Sequence, residues 1–196
     1  TASGKLEIHS QTLADTVKAC GWSEIDPIPT YAPPIEGYED TFADWEKKVP
    51  GDHSLQFYDL HVNRQVHSSF ANIPALLEAF TLDLIMNPLD GEKRKLQEGD
   101  TVLVESRHGK VLRPVHITAE IMPGVVALGQ GAWVDIDEET GIDLGGSVNV
   151  LHGAIPSGTG HMGWNSCIVE VSKWEGKPLP PDYMKTQKVF HELEND

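Results

Sequence analysis

The stretch TVLVESRHGKVLRPVHITAEI, residues 101–121, decides the fold of this 196-residue chain. Apolar and polar residues alternate on both sides of RHGK at 107–110. That is the pattern of two half-buried strands joined by a tight turn. The stretch therefore predicts a β-hairpin.

Further short strands are predicted on both sides of this hairpin. PGVVALGQGAWVDID (123–137), SVNVL (147–151) and SCIVEVSKW (166–174) follow it, whereas SLQFYDLHV (54–62) and LDLIMN (82–87) precede it. Short helices are predicted at IPALLEAF (73–80) and from Pro88, because proline suits a first helical turn. This order predicts a mainly β fold with short helices, in which a closed or nearly closed β-barrel has helices at its ends.

The first fifty residues have a different composition. KLEIH (5–9) alternates like a strand, and a helix is predicted from the N-cap Ser10 to Gly21. Prolines at 27, 29, 33 and 34 exclude regular structure from an arm that runs from 26 to 51. We therefore divide the chain into a lead-in segment and Pro-rich arm (1–50), a ligand-binding barrel (51–175) and a C-terminal tail (176–196).

The charge balance argues against nucleic acid as a partner. Thirty acidic and 15 basic residues give a formal net charge of −15, whereas nucleic acid binding needs a cationic face. No run of 18 apolar residues and no signal peptide are present. Because the chain opens without a methionine and already reads as a strand, we expect it to be a fragment of a longer protein.

Motifs for an independent active site are absent from the sequence. The two cysteines, Cys20 and Cys167, form no CxxC, and the nine histidines form neither HxxxH nor HExxH. GHMGWNSC is not a GxSxG elbow, and the Gly-rich stretches open no helix as GxGxxG would. The sequence thus predicts no catalytic and no metal-ligating residue in this chain.

One polar loop has the side chains of a binding site. RQVHSSFAN (64–72) offers the guanidinium of Arg64, the imidazole of His67 and the hydroxyl of Ser68, while Asn149 and Asn165 lie beside predicted strands. These groups suit a polar, phosphorylated or heteroaromatic ligand. The alternative is that they cap turns and helices.

The order of six motifs carries a resemblance to a known family. RQVHSSFANI, MNPLD, EGDTVLVESRHGKV, ITAEIMPGVVALGQGAWVDID, GGSVNVL and NSCIVEV follow one another along the chain. The series resembles the C-terminal molybdopterin-dinucleotide-binding domain of the dimethyl sulfoxide reductase family, in its anaerobic type. The likeness covers roughly residues 1–12 and 54–174.

This resemblance implies a fold and a cofactor. The fold is a double-psi β-barrel of the aspartate-decarboxylase-like kind. The cofactor of the parent enzyme is molybdenum, or tungsten as in relatives, held by two molybdopterin guanine dinucleotides. The metal's protein ligand and an iron–sulfur cluster would lie in preceding domains of the same polypeptide. An iron–sulfur electron-transfer subunit and a membrane anchor subunit would be partners, with a periplasmic location if the parent has a twin-arginine leader.

The resemblance also assigns residues to the cofactor. It places Arg64, His67, Ser68 and Asn72 on the cofactor-facing loop, with His67 and Ser68 donating to the pterin or its phosphate and Arg64 near the pyrophosphate. Gln130 belongs to the stretch that the cofactor approaches, and Asn149 and Asn165 would bond to pterin edges. Trp133 is expected to be a buried barrel aromatic. Arg107 and Arg113 are expected either to face a ligand or neighbouring domain or to be strand-edge charges.

The sequence departs from the family at a few positions. His152 replaces a threonine, and Gly91 and Lys95 replace the alanine and glycine of the family's A-x-x-R-G-I. We expect a parent that acts on a small S-oxide, N-oxide or similar acceptor, with this fragment inactive alone. Two alternatives are a non-catalytic docking module and a free-standing aspartate-decarboxylase-like enzyme that self-processes at Gly146-Ser147.

Overall fold

A computed structural model describes residues 1, 3–22, 25–31, 34–63, 65–154, 163 and 165–185. In this part of the chain the helices are α1 (Gln11–Ala19), α2 (Pro74–Ala79) and α3 (Pro88–Lys93). The strands are β1 (Phe42–Asp44), β2 (Val49–Pro50), β3 (Leu55–Leu60), β4 (Leu84–Met86), β5 (Thr101–Glu105), β6 (Lys110–Ile117), β7 (Val125–Gly129) and β8 (Ile168–Lys173).

Six of these strands close into a barrel in the order β3-β7-β4-β6-β5-β8. β5 and β6 pair antiparallel from Thr101 opposite Pro114 to Glu105 opposite Lys110. The predicted hairpin and the predicted mainly β barrel are therefore confirmed.

Two parallel pairings determine where the loops emerge. β3 runs parallel to β7, with Leu60 opposite Gly129, and β4 runs parallel to β6. Carboxyl ends of parallel neighbours lie at the same edge. The loops that begin at His61 and at Gln130 therefore leave the barrel side by side.

The barrel interior is filled by alternate residues of its strands. The inward side chains of β5, Val102 and Val104, are fully buried, and each such aliphatic side chain contributes roughly 1.5–3 kcal/mol. The same apolar cluster contains Leu55, Phe57, Leu84, Met86, Val111, Val115, Val126, Leu128, Val148, Leu151, Val169 and Val171. This core explains why period-two alternation predicted the strands correctly.

Three local predictions were wrong. KLEIH forms no strand, since no strand among the described residues pairs with it, and Leu6 is 90% exposed. SVNVL forms a 3₁₀ turn at Val148–Val150, because the backbone that precedes it donates to a buried carboxylate. The Pro-rich arm ends in a 3₁₀ turn at Tyr38–Thr41 and the β1–β2 hairpin, since its four prolines all precede these elements.

Helix boundaries follow the predicted capping. Ser10 caps α1 by accepting a hydrogen bond from the Leu13 amide at 3.4 Å, and α3 begins at Pro88. Gly91 lies in α3, where a Cβ would meet the Ile117 side chain at 3.2 Å. Close packing therefore accounts for a glycine in this helix.

Asn87 connects α3 to the segment before β7. Its Oδ1 accepts from the Leu89 amide at 2.9 Å, and its Nδ2 donates to the Ile121 carbonyl at 2.7 Å. We expect Asn87→Ala to lower the free energy of unfolding by about 1–2 kcal/mol, because it removes a cap and leaves a carbonyl without its donor. Asn87→Ser should recover part of this loss by restoring the cap. Urea denaturation measures both, and equal losses would contradict the capping role.

Candidate functional site

The side chain of Gln65 holds the loop 65–72 to the barrel. Gln65 Nε2 donates to the His67 carbonyl at 2.6 Å and to the Gln130 carbonyl at 2.8 Å. The Gln130 amide in turn donates to the Leu60 carbonyl at 3.0 Å. One carboxamide thus joins the loop after β3 to the loop after β7.

Trp133 makes the second connection. Its indole Nε1 donates to the Ser68 carbonyl at 3.0 Å, and the residue is 53% exposed. The prediction of a buried barrel aromatic was wrong, since the indole holds the loop from outside the core. Because the carbonyl groups of His67 and Ser68 accept these hydrogen bonds, their exposed side chains make none of them.

Gly131 is required where the two loops meet. Its φ is +93°, and a Cβ there would lie 1.9 Å from the His67 carbonyl oxygen and 2.2 Å from Gln65 Nε2. No other residue fits this approach without moving the loop. A loop residue, His67 itself, has a left-handed φ of 48°.

Gln130 adds a carboxamide and a second imidazole to this cluster. Its Nε2 lies 2.9 Å from His61 Nδ1, and the His61 and His67 rings meet edge to face with centroids 5.8 Å apart. His61, His67, Ser68 and Gln130 therefore gather at the carboxyl ends of β3 and β7. Asn72 is exposed near the end of the same loop, and Arg64 lies outside the described residues.

Asn165 is attached to the same end of β3. Its Oδ1 accepts from the Asp59 amide at 2.7 Å, with a φ of 59°. Its carbonyl oxygen is used inside the fold, which leaves the amide NH₂ as its ligand-binding group. Asn149 is exposed in the 3₁₀ turn Val148–Val150 and makes no contact in the described structure that joins it to the loop 65–72.

A buried acid–imidazole pair lies beneath these residues. Asp59 accepts from His152 Nε2 at 2.9 Å, and both side chains are less than a tenth exposed. The His152 ring also packs on Phe57, with centroids 5.7 Å apart. The histidine that replaces the family's threonine is thus a partner of β3.

Sequence reasoning missed Gln65 and Asp59. Asp59 could have been noticed, because it follows Leu55 and Phe57 on the inward positions of an otherwise apolar strand. Burial raises the pKa of the Cys167 thiol to about 12, and the carboxylates of Glu36 and Asp59 add to this shift. Burial and the two carboxylates thus favour the neutral thiol over the thiolate at this position.

A cavity opens at the end of the barrel opposite to the loop 65–72. It has a volume of about 520 Å³ and is lined in part by Tyr38, Phe42, Arg94 and Glu170. Arg94 Nε donates to Glu170 at 2.8 Å and its NH2 group to Ser54 at 2.7 Å. Because Arg94 is paired within the fold, this cavity is a weaker candidate for a polar ligand.

The described residues contain neither a candidate metal site nor a membrane-spanning helix. Among them no three or more His, Cys, Asp or Glu side chains form a group that could hold a metal ion. No helix in the same residues is long and apolar enough to cross a membrane. The hydrogen-bonding cluster at the carboxyl ends of β3 and β7 is thus the candidate site.

The donor set of this cluster suits a large polar ligand. Imidazole, hydroxyl and carboxamide groups supply donors and acceptors without requiring a fixed ligand charge. They stand on loops that hydrogen bonds fix to a closed barrel, which is how binding groups are preorganised. This arrangement suits a domain that binds a large polar cofactor, and a pterin dinucleotide has the complementary donors and acceptors.

Comparisons with known proteins identify the family. Residues 55–164 match the family described as Molydopterin dinucleotide binding domain, and the chain belongs to it. Dimethyl sulfoxide reductase DmsA of Escherichia coli (strain K12) is 41% identical over 160 residues, covering 80% of this chain and 19% of that protein. Trimethylamine-N-oxide reductase of Haemophilus influenzae is 29% identical over 188 residues, covering 90% and 21%.

A solved structure agrees in fold. Acetylene hydratase from Pelobacter acetylenicus superposes with a TM-score of 0.67 and 18% identity, covering 89% of this chain and 24% of that one. The chain spans about a fifth of the length of the reductases it matches. The resemblance in the motifs is therefore confirmed: this is a molybdopterin-dinucleotide-binding domain homologous to dimethyl sulfoxide and trimethylamine-N-oxide reductases.

Proposed function

We propose that the whole protein reduces a small S-oxide or N-oxide and that this chain is the domain that holds its cofactor. The reductases named above support the substrate class. One observation carries the binding role. The Gln65 side chain and the Ser68 carbonyl fix the loop 65–72 to its neighbours, and the side chains of His67 and Ser68 stay exposed.

The cofactor that this proposal requires is molybdenum, or tungsten, with two molybdopterin guanine dinucleotides. When bound, that group supplies the redox chemistry. The His67 imidazole and Ser68 hydroxyl donate to the pterin or its phosphate, with Arg64 near the pyrophosphate. The Gln130 carboxamide and the Asn165 NH₂ group meet polar edges of the ligand, and Asn149 and Asn72 extend the contact.

The wider proposals concern the rest of the protein. Preceding domains carry the metal's protein ligand and an iron–sulfur cluster, and a double-psi crossing describes the barrel. Electrons arrive from an iron–sulfur subunit next to a membrane anchor subunit in anaerobic respiration. A twin-arginine leader would place the enzyme in the periplasm.

Removing the two exposed donors tests the binding role. We expect His67→Ala combined with Ser68→Ala to weaken cofactor retention by at least about a hundredfold, because two hydrogen bonds to a charged group contribute roughly 1.5–3 kcal/mol each and every 1.4 kcal/mol is a factor of ten. Molybdenum and released guanosine monophosphate are measured per mole of purified full-length protein. Thermal unfolding should change little, because the hydrogen bonds that hold the loop go to the carbonyl groups of His67 and Ser68, and the substitutions keep these carbonyl groups.

Ser172→Ala is the matched control, because Ser172 is an exposed hydroxyl on β8. It should retain the cofactor fully. If the double variant loads and retains cofactor like the wild type, these side chains make no essential contact. The docking alternative would then describe this end of the barrel.

A further inference from the structure

Arg113 is a cation inside the fold. The sequence alone allowed two roles for it, a contact with a ligand or neighbouring domain and a charge at a strand edge. It is 0% exposed, and its guanidinium makes a bidentate pair with Asp182 at 2.8 and 3.0 Å. An unpaired charge at such a depth is strongly unfavourable. A residue of the C-terminal segment, 69 positions further along the chain, therefore neutralises the buried cation of β6.

The same ion pair lies beneath the turn that leads to Asn149. Arg113 NH1 also donates to the Gly145 carbonyl at 3.2 Å, and Lys185 Nζ donates to the Leu144 carbonyl at 2.7 Å. A Cβ on Gly146 would lie 2.6 Å from Arg113 NH1. The guanidinium and the turn 144–147 are thus packed directly against each other.

The C-terminal segment makes a second contact, close in sequence to the loop 65–72. Its 3₁₀ turn Asp182–Met184 packs against α2, the helix that follows the loop 65–72. Residues 181–185, which we name the C-terminal clasp, therefore touch the turn 144–147, which leads to Asn149, and the helix that follows the loop 65–72. The family match ends at residue 164, so the clasp lies beyond it.

We propose that the C-terminal clasp positions the Asn149 turn and α2 for the cofactor, with Asp182 as its positioning residue. Asp182 touches no ligand in this proposal and acts through Arg113. This proposal extends the proposed function. The part of its test that measures cofactor content depends on the proposed function.

The charges at the clasp agree with this arrangement. Burial by itself would raise the pKa of Asp182, but Arg113 and Lys185 lower it below its ordinary value. The carboxylate is therefore ionised at neutral pH, as the bidentate pair requires. Lys185 forms a second ion pair with Asp182 at 2.8 Å.

Hydrogen exchange in the full-length, cofactor-free protein tests the clasp directly. We expect Asp182→Asn to speed amide exchange in the Asn149 turn and in α2 by about tenfold or more, because local opening no longer has to break the ion pair. Exchange in the β5–β6 hairpin should change less. Lys185→Met, which leaves Arg113 paired, should speed exchange only around residues 144–150.

Cofactor content gives the second measurement. We expect Asp182→Asn to retain cofactor at least about tenfold more weakly, with Asp182→Glu partly restoring retention. Lys173→Ala removes the exposed ion pair with Asp100 at 3.0 Å and serves as the control with no effect at either segment.

The possible outcomes distinguish a failure of the clasp proposal from a failure of the proposed function. Unchanged exchange in both segments after Asp182→Asn would overturn the clasp, as would uniformly faster exchange across the whole barrel. Local acceleration with unchanged cofactor retention would also overturn it as a positioning device. If the wild type itself binds no dinucleotide, the proposed function fails. Faster amide exchange in the Asn149 turn and α2 after Asp182→Asn would then show only that the clasp stabilises these two segments.

Discussion

Gly131→Ala is expected to abolish stable cofactor binding while leaving the barrel folded. A Cβ at this position would lie 1.9 Å from the His67 carbonyl oxygen, so the loop 65–72 has to move away from β7. The Gln65 contacts with the His67 and Gln130 carbonyls would then be lost together. Because every 1.4 kcal/mol lost is a factor of ten in affinity, we expect retention at least about a hundredfold weaker.

Gly141→Ala separates this clash from backbone strain. Gly141 also has a left-handed φ, +71°, but nothing lies within 4 Å of its Cβ position. Both substitutions introduce a strain of about 1–2 kcal/mol, whereas only Gly131→Ala displaces the loop. Cofactor content and thermal unfolding are measured for the two variants side by side. Equal cofactor loss in both would show that strain, and not the approach of the two loops, controls binding.

Local pattern predicted those elements whose side chains face the core. The hairpin at 107–110, β3 and the start of α3 at Pro88 follow from alternation, turn residues and the fixed φ of proline. SVNVL alternates too, yet it lies in a 3₁₀ turn because Asp143 binds the backbone before it. Alternation reports which residues are buried, and a buried turn can produce the same spacing as a strand.

The candidate site depends on contacts between distant parts of the chain. The Asp59–His152 pair joins residues 93 positions apart, and the Arg113–Asp182 pair joins residues 69 apart. No local signal connects such partners in a single sequence. Trp133 shows a related limit, because residue type suggested core packing, whereas the indole N–H is used to hold a loop. The motif order identified the family, but the structure was needed to separate groups that hold loops from groups left exposed.

Asp143→Asn is expected to destabilise the barrel severely. The Asp143 carboxylate is 0% exposed and accepts from the amides of Asp135 at 2.7 Å and Ser147 at 2.6 Å. It also accepts from Gly145 at 3.0 Å and Gly146 at 2.9 Å. Asparagine has the same shape but keeps one acceptor oxygen, and its NH₂ group would face two amide donors.

The size of the effect follows from those two lost acceptor contacts. Hydrogen bonds to a charged group contribute roughly 1.5–3 kcal/mol each, so we expect the free energy of unfolding to fall by about 3–5 kcal/mol. Asp137→Asn is the matched control, because in the described structure the Asp137 carboxylate accepts hydrogen bonds only from Thr140. This substitution should lower the free energy of unfolding by about 1 kcal/mol or less. Urea denaturation measures the two variants, with hydrogen exchange in β6 to locate the loss. The turn that Asp143 binds leads directly into Val148–Val150. If Asp143→Asn lowered the free energy of unfolding no more than the control does, the Asn149 turn would be held mainly by Arg113 and Lys185.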